Sequence, residues 1–331
     1  NNGAFANQSP NTTGDYSIST ISIGTAFKDK SGATLSSVFN DFMNNRSVIS
    51  RRLGALNPNS IGVTNGYANG YDKRSQDVVV LAFLAAYTGK DPNSSSLNSL
   101  PKIPLPNWRL TYSGLTKYPF IADRFSELSL RHGYRSTYSI NGFNSLLKYE
   151  ESNGAVSSTD VNGNFLPFYQ FAQVTISEQF APLIGFDTRL KNNMTLNFEI
   201  NKTRLLGLSL ANSQLAHLSE NNIVFGLGYR TTKFRFPFGL FKQMKMDNNM
   251  DFKLDVSVRD NKTVIYRADI TEAEVSSGAK NITLRPSVDY VLNQRFNVRL
   301  FYDSNITKPY TSQSFNTSFS NFGFSLRVTL N

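Results

Sequence analysis

Asn321-Phe322-Gly323-Phe324-Ser325-Leu326-Arg327-Val328-Thr329-Leu330 decides the fold class. Successive side chains of a strand point to opposite faces, so Phe322, Phe324, Leu326, Val328 and Leu330 share one side. Asn321, Gly323, Ser325, Arg327 and Thr329 share the other. The same division recurs upstream, with Phe296, Val298, Leu300 and Tyr302 set against Arg295, Asn297, Arg299 and Asp303. It recurs again with Phe252, Leu254, Val256 and Val258 against Asp251, Lys253, Asp255 and Arg259. One set suits lipid and the other a water-filled lumen. A soluble β-sandwich has the same period, so strand length and number must arbitrate.

Alternating runs fall near 107-115, 127-140, 143-149, 168-178, 183-190, 193-201, 203-211, 221-230, 250-259, 262-270, 281-292, 294-304 and 319-330. That is about thirteen strands, or about fourteen if Tyr16 to Gly24 is one more. Each run has about 8 to 12 residues, the length a tilted membrane strand needs and more than the 5 or 6 usual in globular proteins. Aromatic usage of 13%, with 26 Phe, 15 Tyr and 1 Trp, and a mean hydropathy of -0.31 also suit an outer-membrane barrel, which is not hydrophobic on average. The expectation is an all-β transmembrane barrel of antiparallel strands carrying a small helical insertion. No run approaches the roughly 18 apolar residues of a spanning helix. The longest is Val78 to Tyr87.

Three regions are expected: a strand and N-terminal extension over 1-30, a helical insertion over 31-105, and barrel strands over 106-331. Within the insertion, Leu35, Val38, Phe39, Phe42, Ile49 and Leu53 recur at spacings that predict an amphipathic helix ending at Gly54. A second helix is predicted from Ser75, which can cap it, to Tyr87, with Asp77 in its first turn and Gly89 and Pro92 stopping it. Its apolar residues surround it, so it must be buried on or in the barrel. The segment from Pro92 to Pro106 reads as a linker.

The net charge of +10 raises the question of nucleic acid, but Lys and Arg are scattered along strands beside Asp and Glu without stacking aromatics, which argues for a solvated lumen. The chain has no cysteine, which excludes disulfides and thiolate sites. His132 and His217 have no carboxylates at metal-ligand spacing, Gly226 and Gly228 lie within a strand, and Asp123, Glu127, Glu150 and Glu151 sit near loops and strand ends. No enzymatic role and no cofactor is expected. Asn1-Asn2-Gly3 opens without a leader, so a secretion signal is expected to lie outside this sequence.

Several long strings resemble one family. Ser75-Gln76-Asp77, then Ala82-Phe83-Leu84-Ala85-Ala86-Tyr87-Thr88-Gly89-Lys90-Asp91-Pro92, then Ile103-Pro104-Leu105-Pro106-Asn107-Trp108-Arg109-Leu110-Thr111-Tyr112-Ser113-Gly114-Leu115 resemble the C-terminal part of the SprA/Sov proteins of Bacteroidota. Phe225 to Arg230, Arg299 to Asp303 and Asn321 to Arg327 add to the likeness, which spans residues 70 to 331. The resemblance implies the outer-membrane translocon of the type 9 secretion system, a single-chain barrel of exceptional size, of which this chain would be an arc. It implies, as partners, the remainder of the same long chain, a PorV-like shuttle, a plug protein, periplasmic motor components and cargo proteins with C-terminal secretion domains. A self-contained fourteen-strand porin is the alternative.

Orientation is argued from the end. Terminal strands of such barrels finish in the periplasm, which puts Leu330 and the 292-294 turn there and the 304-318 loop outside. Counting back puts 270-280 and 231-249 outside and makes 259-262 a tight periplasmic turn. It also makes 150-167 periplasmic and 201-203 external, against the rule that long loops lie outside.

Overall fold

The computed structural model describes residues 11-28, 36-232, 234-235, 245-246, 248-268 and 272-329. Leu35 and Leu330, each assigned a role above, lie outside the described residues.

The described residues form a ten-stranded antiparallel sheet. Its strands are β1 (Thr13–Ser19), β2 (Trp108–Tyr112), β3 (Phe125–Ser145), β4 (Tyr169–Leu190), β5 (Met194–Ser209), β6 (Gln214–Thr231), β7 (Met250–Arg267), β8 (Glu272–Val291), β9 (Phe296–Pro309) and β10 (Thr317–Val328). From β3 to β10 each strand pairs with the next, an up-and-down meander. β1 and β2 lie end to end along the outer edge of β3, β1 against Thr137 to Asn144 and β2 against Leu130 to Tyr134. The outer edge of β10 is unpaired among the described residues.

Ten strands replace the thirteen or fourteen expected, because neighbouring runs join. The runs 127-140 and 143-149 are both β3, 168-178 and 183-190 are both β4, 193-201 and 203-211 are both β5, and 250-259 and 262-270 fall on β7. In β3 the break in alternation is Gly142, whose φ of 70° only glycine adopts freely. In β4 it is a register shift between Phe180 and Ile184, around Pro182, which has no N–H to donate. In β5 and β7 nothing breaks: Lys202 and Asp260 are polar residues on an otherwise apolar face, and the ladder continues through them. The 259-262 and 201-203 turns are therefore corrected to strand interior.

Sidedness changes accordingly. The connections 146-168, 210-213, 268-271 and 310-316 lie at one end of the sheet, and 191-193, 232-249 and 292-295 at the other. The 231-249 segment thus joins the 292-294 turn rather than opposing it, and 150-167 joins the 304-318 loop.

Two helices, α1 (Ser37–Leu56) and α2 (Gln76–Thr88), pack on each other and on the sheet. Ser36 caps α1, its Oγ accepting from the Phe39 N–H at 3.2 Å. The helix runs past Gly54, where a Cβ would meet the Ala68 Cβ at 2.3 Å; the missing side chain lets the Val63–Thr64/Tyr67–Ala68 hairpin approach. α2 starts as expected, but the Ser75 side chain makes no capping bond. Asp72 Oδ1 fixes the turn leading into the helix, accepting from the Ser75 and Arg74 N–H groups at 2.9 and 2.7 Å. Gly89 ends α2 in the left-handed conformation, φ 71°. No helix is long and apolar enough to cross a membrane among the described residues.

Candidate functional site

Cross-strand partners share a face, so the register reads out both faces of the sheet. On one face the ladder aligns whole rows of apolar side chains. Ile184, Ile200, Ile223, Val258, Ile282 and Ile306 form one row across β4 to β9. Phe186, Phe198, Phe225, Val256 and Leu284 form the next, followed by Leu196, Leu227 and Leu254. The fourth row is Met194, Tyr229, Phe252, Val288, Leu300 and Phe324. On β7 this belt runs from Met250 to Val258, about 30 Å of strand or about 23 Å of height at a barrel tilt of about 40°, close to the apolar band of an outer-membrane protein. Its β10 edge is uncovered: Phe322 and Phe324 are 72% and 73% exposed, and Leu326 is exposed too. Phe296 and Leu300 lie on the same face, opposite Val328 and Phe324.

Along the same face, beyond the isoleucine row, the chemistry changes. Lys202, Asn221, Asp260, Lys280 and Lys308 form a polar row. Farther still lies a second apolar area of Tyr138, Ile140, Val174, Ile176, Leu206 and Leu208, and here α1 and α2 cover the sheet. Phe39 stacks on Tyr266 at 4.7 Å, and Phe83 packs between Phe42 and Tyr87. Between the two apolar areas sits a buried ion pair, Glu178 with Arg204 at 2.8 Å. Glu178 Oε1 accepts from Ser22 Oγ at 2.7 Å and Tyr134 Oη at 2.8 Å. Arg204 Nη2 donates to the Ser22 carbonyl and to Thr25 Oγ1, and Thr25 Oγ1 donates on to the Tyr87 carbonyl. The pair therefore ties the 22-25 turn and the end of α2 to the sheet.

The opposite face is charged and internally matched. Arg131 bridges Asp187 at 2.6 Å and Glu199 at 2.5 Å, and Arg259 meets Glu220 at 2.7 Å. Arg230 holds Asp251 through two bonds of 2.5 and 2.9 Å. Asp289 lies between Lys253 at 3.8 Å and Arg299 at 3.9 Å, and Arg285 lies 3.6 Å from Asp303. The expected polar-face set Asp251, Lys253, Asp255, Arg259, Arg299 and Arg327 does share this face by register. Arg295 does not belong to it: it sits in the 292-295 turn, its N–H donating to Asn293 Oδ1.

The residues that carry the resemblance sit in and beside the helical cap. Gln76 splints the start of β4, its side-chain amide donating to the Tyr169 carbonyl and accepting from the Phe171 N–H. Asp77 lies in the first turn of α2, and desolvation pushes its carboxyl up to about 6. Phe83 and Tyr87 are fully buried. Asn107 Oδ1 accepts from the Ser136 N–H, and Trp108 stacks on Tyr134 at 4.5 Å. Pro104, Pro106, Arg109 and Tyr112 are exposed.

His132 Nδ1 lies 2.6 Å from the Leu183 carbonyl beside Trp108 and Phe180, and His217 is buried against Tyr266. Among the described residues no three His, Asp or Glu side chains gather to hold a metal. Sequence reasoning missed the polar row and the Glu178–Arg204 pair. A signal was available at Glu178, between Ile176 and Phe180, and at Lys308, between Ile306 and Tyr310; Lys202, Arg204 and Asp260 each neighbour another charged residue at i±2 and read as a polar stretch. No protein-family model matches this sequence, and no curated protein matches it.

Proposed function

We propose that this chain is an arc of the wall of a membrane β-barrel in the outer membrane of a Gram-negative bacterium, and that the barrel is the translocon of a type 9 secretion system of the SprA/Sov kind. The observation that carries the membrane part is the belt, whose isoleucine row stays apolar across β4 to β9 and whose other rows run apolar over three to six adjacent strands, on a part of the face that neither described helix covers. An area of that size, open to water, is foreign to a soluble monomer. On this reading the lipid-facing side chains are Phe252, Leu254, Phe296, Leu300, Phe322, Phe324 and Leu326, and Asp251, Lys253, Asp255, Arg259, Arg299 and Arg327 face the lumen.

The lumen surface suits passage of protein. Apart from Asp255, the carboxylates named on it are paired with cations, so it presents little unmatched negative charge to a passing chain. Unpaired strand edges are intolerable in lipid, so β1, β2 and β10 must be completed by further strands. In the translocon those strands belong to the remainder of a long polypeptide, and in a porin β10 would close onto β1 and β2. The helical cap lies on the apolar face, so it braces the outside of the wall and does not line the pore. With the terminal strand finishing in the periplasm, the capped end is external. The shuttle, plug, motor and cargo partners follow from the resemblance.

The test is the apparent size, in washed outer membranes, of the polypeptide recognised by an antibody against residues 150-167. A band several times larger than 37.0 kDa supports the translocon. A band near 37.0 kDa sinks it in favour of a small closed barrel.

A further inference from the structure

We propose that the polar row bordering the belt is a docking surface for the phosphate of an anionic lipid headgroup, with Lys280 and Lys308 as its centre and Lys262 at its flank. The inference rests on the membrane reading above and gives that membrane a chemical preference.

Lys280 and Lys308 are direct cross-strand partners on β8 and β9, and both are exposed. Two like charges placed opposite each other oppose strand pairing unless an anion lies between them. Neither has an ion-pair or hydrogen-bond partner among the described residues. Asp260, the partner of Lys280 on its other side, forms no ion pair with it and accepts a hydrogen bond from Tyr310 Oη at 2.8 Å. Lys262 follows two residues after Asp260 on the same face of β7, opposite Gly278.

Position supplies the second argument. The next row toward the belt is Val258, Ile282 and Ile306, the last apolar row, so the lysine row lies where the hydrocarbon ends and headgroups begin. A lysine there keeps its methylenes against lipid and its ammonium among phosphates. On the lumen face, by contrast, Lys253, Arg259 and Arg285 meet carboxylates of the protein itself.

The test uses the native protein in nanodiscs of phosphatidylcholine, with or without phosphatidylglycerol, and reads the unfolding temperature. Phosphatidylglycerol should raise it in the wild type. The rise should fall to half or less in K280Q/K308Q, fall partly in K280Q alone, and persist in K148Q, which removes an exposed lysine from the distal 146-168 connection. Equal rises in wild type and K280Q/K308Q, or no rise in the wild type, would overturn the proposal. So would an equal rise caused by inorganic phosphate in pure phosphatidylcholine discs, which would mark a free-anion site. Failure of the wild type to enter discs at all would instead overturn the membrane reading, and this inference with it.

Discussion

The apolar face of the sheet has two territories of like composition and opposite treatment. At one end Tyr138, Ile140, Val174, Ile176, Leu206 and Leu208 lie under α1 and α2. At the other Phe198, Phe225, Leu254, Leu300 and Phe324 lie on the same side of the same sheet with neither described helix over them. Alternation is identical in both, so the period reports only that a face is apolar. What covers it is decided by the rest of the chain. Here the two helices cover one territory and not the other, which the proposed function assigns to lipid.

The two territories should break differently. The largest effect is expected from Phe83→Ala, which empties a site with no exposure between Phe42 and Tyr87. It should cost about 3 to 5 kcal/mol of cap stability. The cap should become protease-sensitive while the belt still inserts, checked by limited proteolysis of membranes. Leu227→Arg, in mid-belt, should cost about 2 to 4 kcal/mol and lower the amount of folded protein in the membrane, whereas Ser257→Arg on the opposite face should not. Equal losses from those two substitutions would erase the distinction between faces.

Smaller effects sharpen it. The Asp77 carboxyl is held near 6 in the folded cap, above its ordinary 3.8. Folding therefore retains a proton that the unfolded chain has lost, and cap stability falls as pH rises from about 4 to 6 and stays lowered above that. Asp77→Asn should remove the penalty, stabilising the cap at pH 8 by on the order of 1 kcal/mol, with the gain vanishing toward pH 4. Thermal melts of the two proteins at both pH values would check this. Arg131→Ala breaks two ion pairs with the partly exposed Asp187 and Glu199 and should cost at most about 1 kcal/mol. Its melting temperature should move by a few degrees or less, less than in either apolar territory.

The alternation in β7, β9 and β10, and the position of α2, were legible because each depends on local period and on stop signals such as Gly89. Strand number was not. Lys202 and Arg204 interrupt the apolar side of β5, and Asp260 and Lys262 that of β7, and a sequence reader sees an end where the ladder runs on. Around Pro182 the break is real in hydrogen bonding but β4 resumes on the far side. The cap of α2 was assigned to Ser75 by residue type, but its side chain makes no capping bond, and Asp72 holds only the turn before the helix. The two faces were legible in outline, but their ion pairs are not, since Arg131 finds Asp187 and Glu199 only through the register of β3, β4 and β5. The side of the sheet on which the cap packs left no local trace, because an apolar helix fits any apolar face.

The most direct test of the account is accessibility along β7. The chain contains no cysteine, so single cysteines at each position from Phe252 to Val258 can carry a spin label in membranes. The account predicts a period of two: labels at 252, 254, 256 and 258 relaxed by lipid-soluble oxygen, labels at 253, 255 and 257 by a water-soluble nickel chelate. Labels at 252 to 258 that all respond to the chelate, or even-numbered labels shielded from both reagents, would contradict it, because the belt would then face water or protein and not lipid.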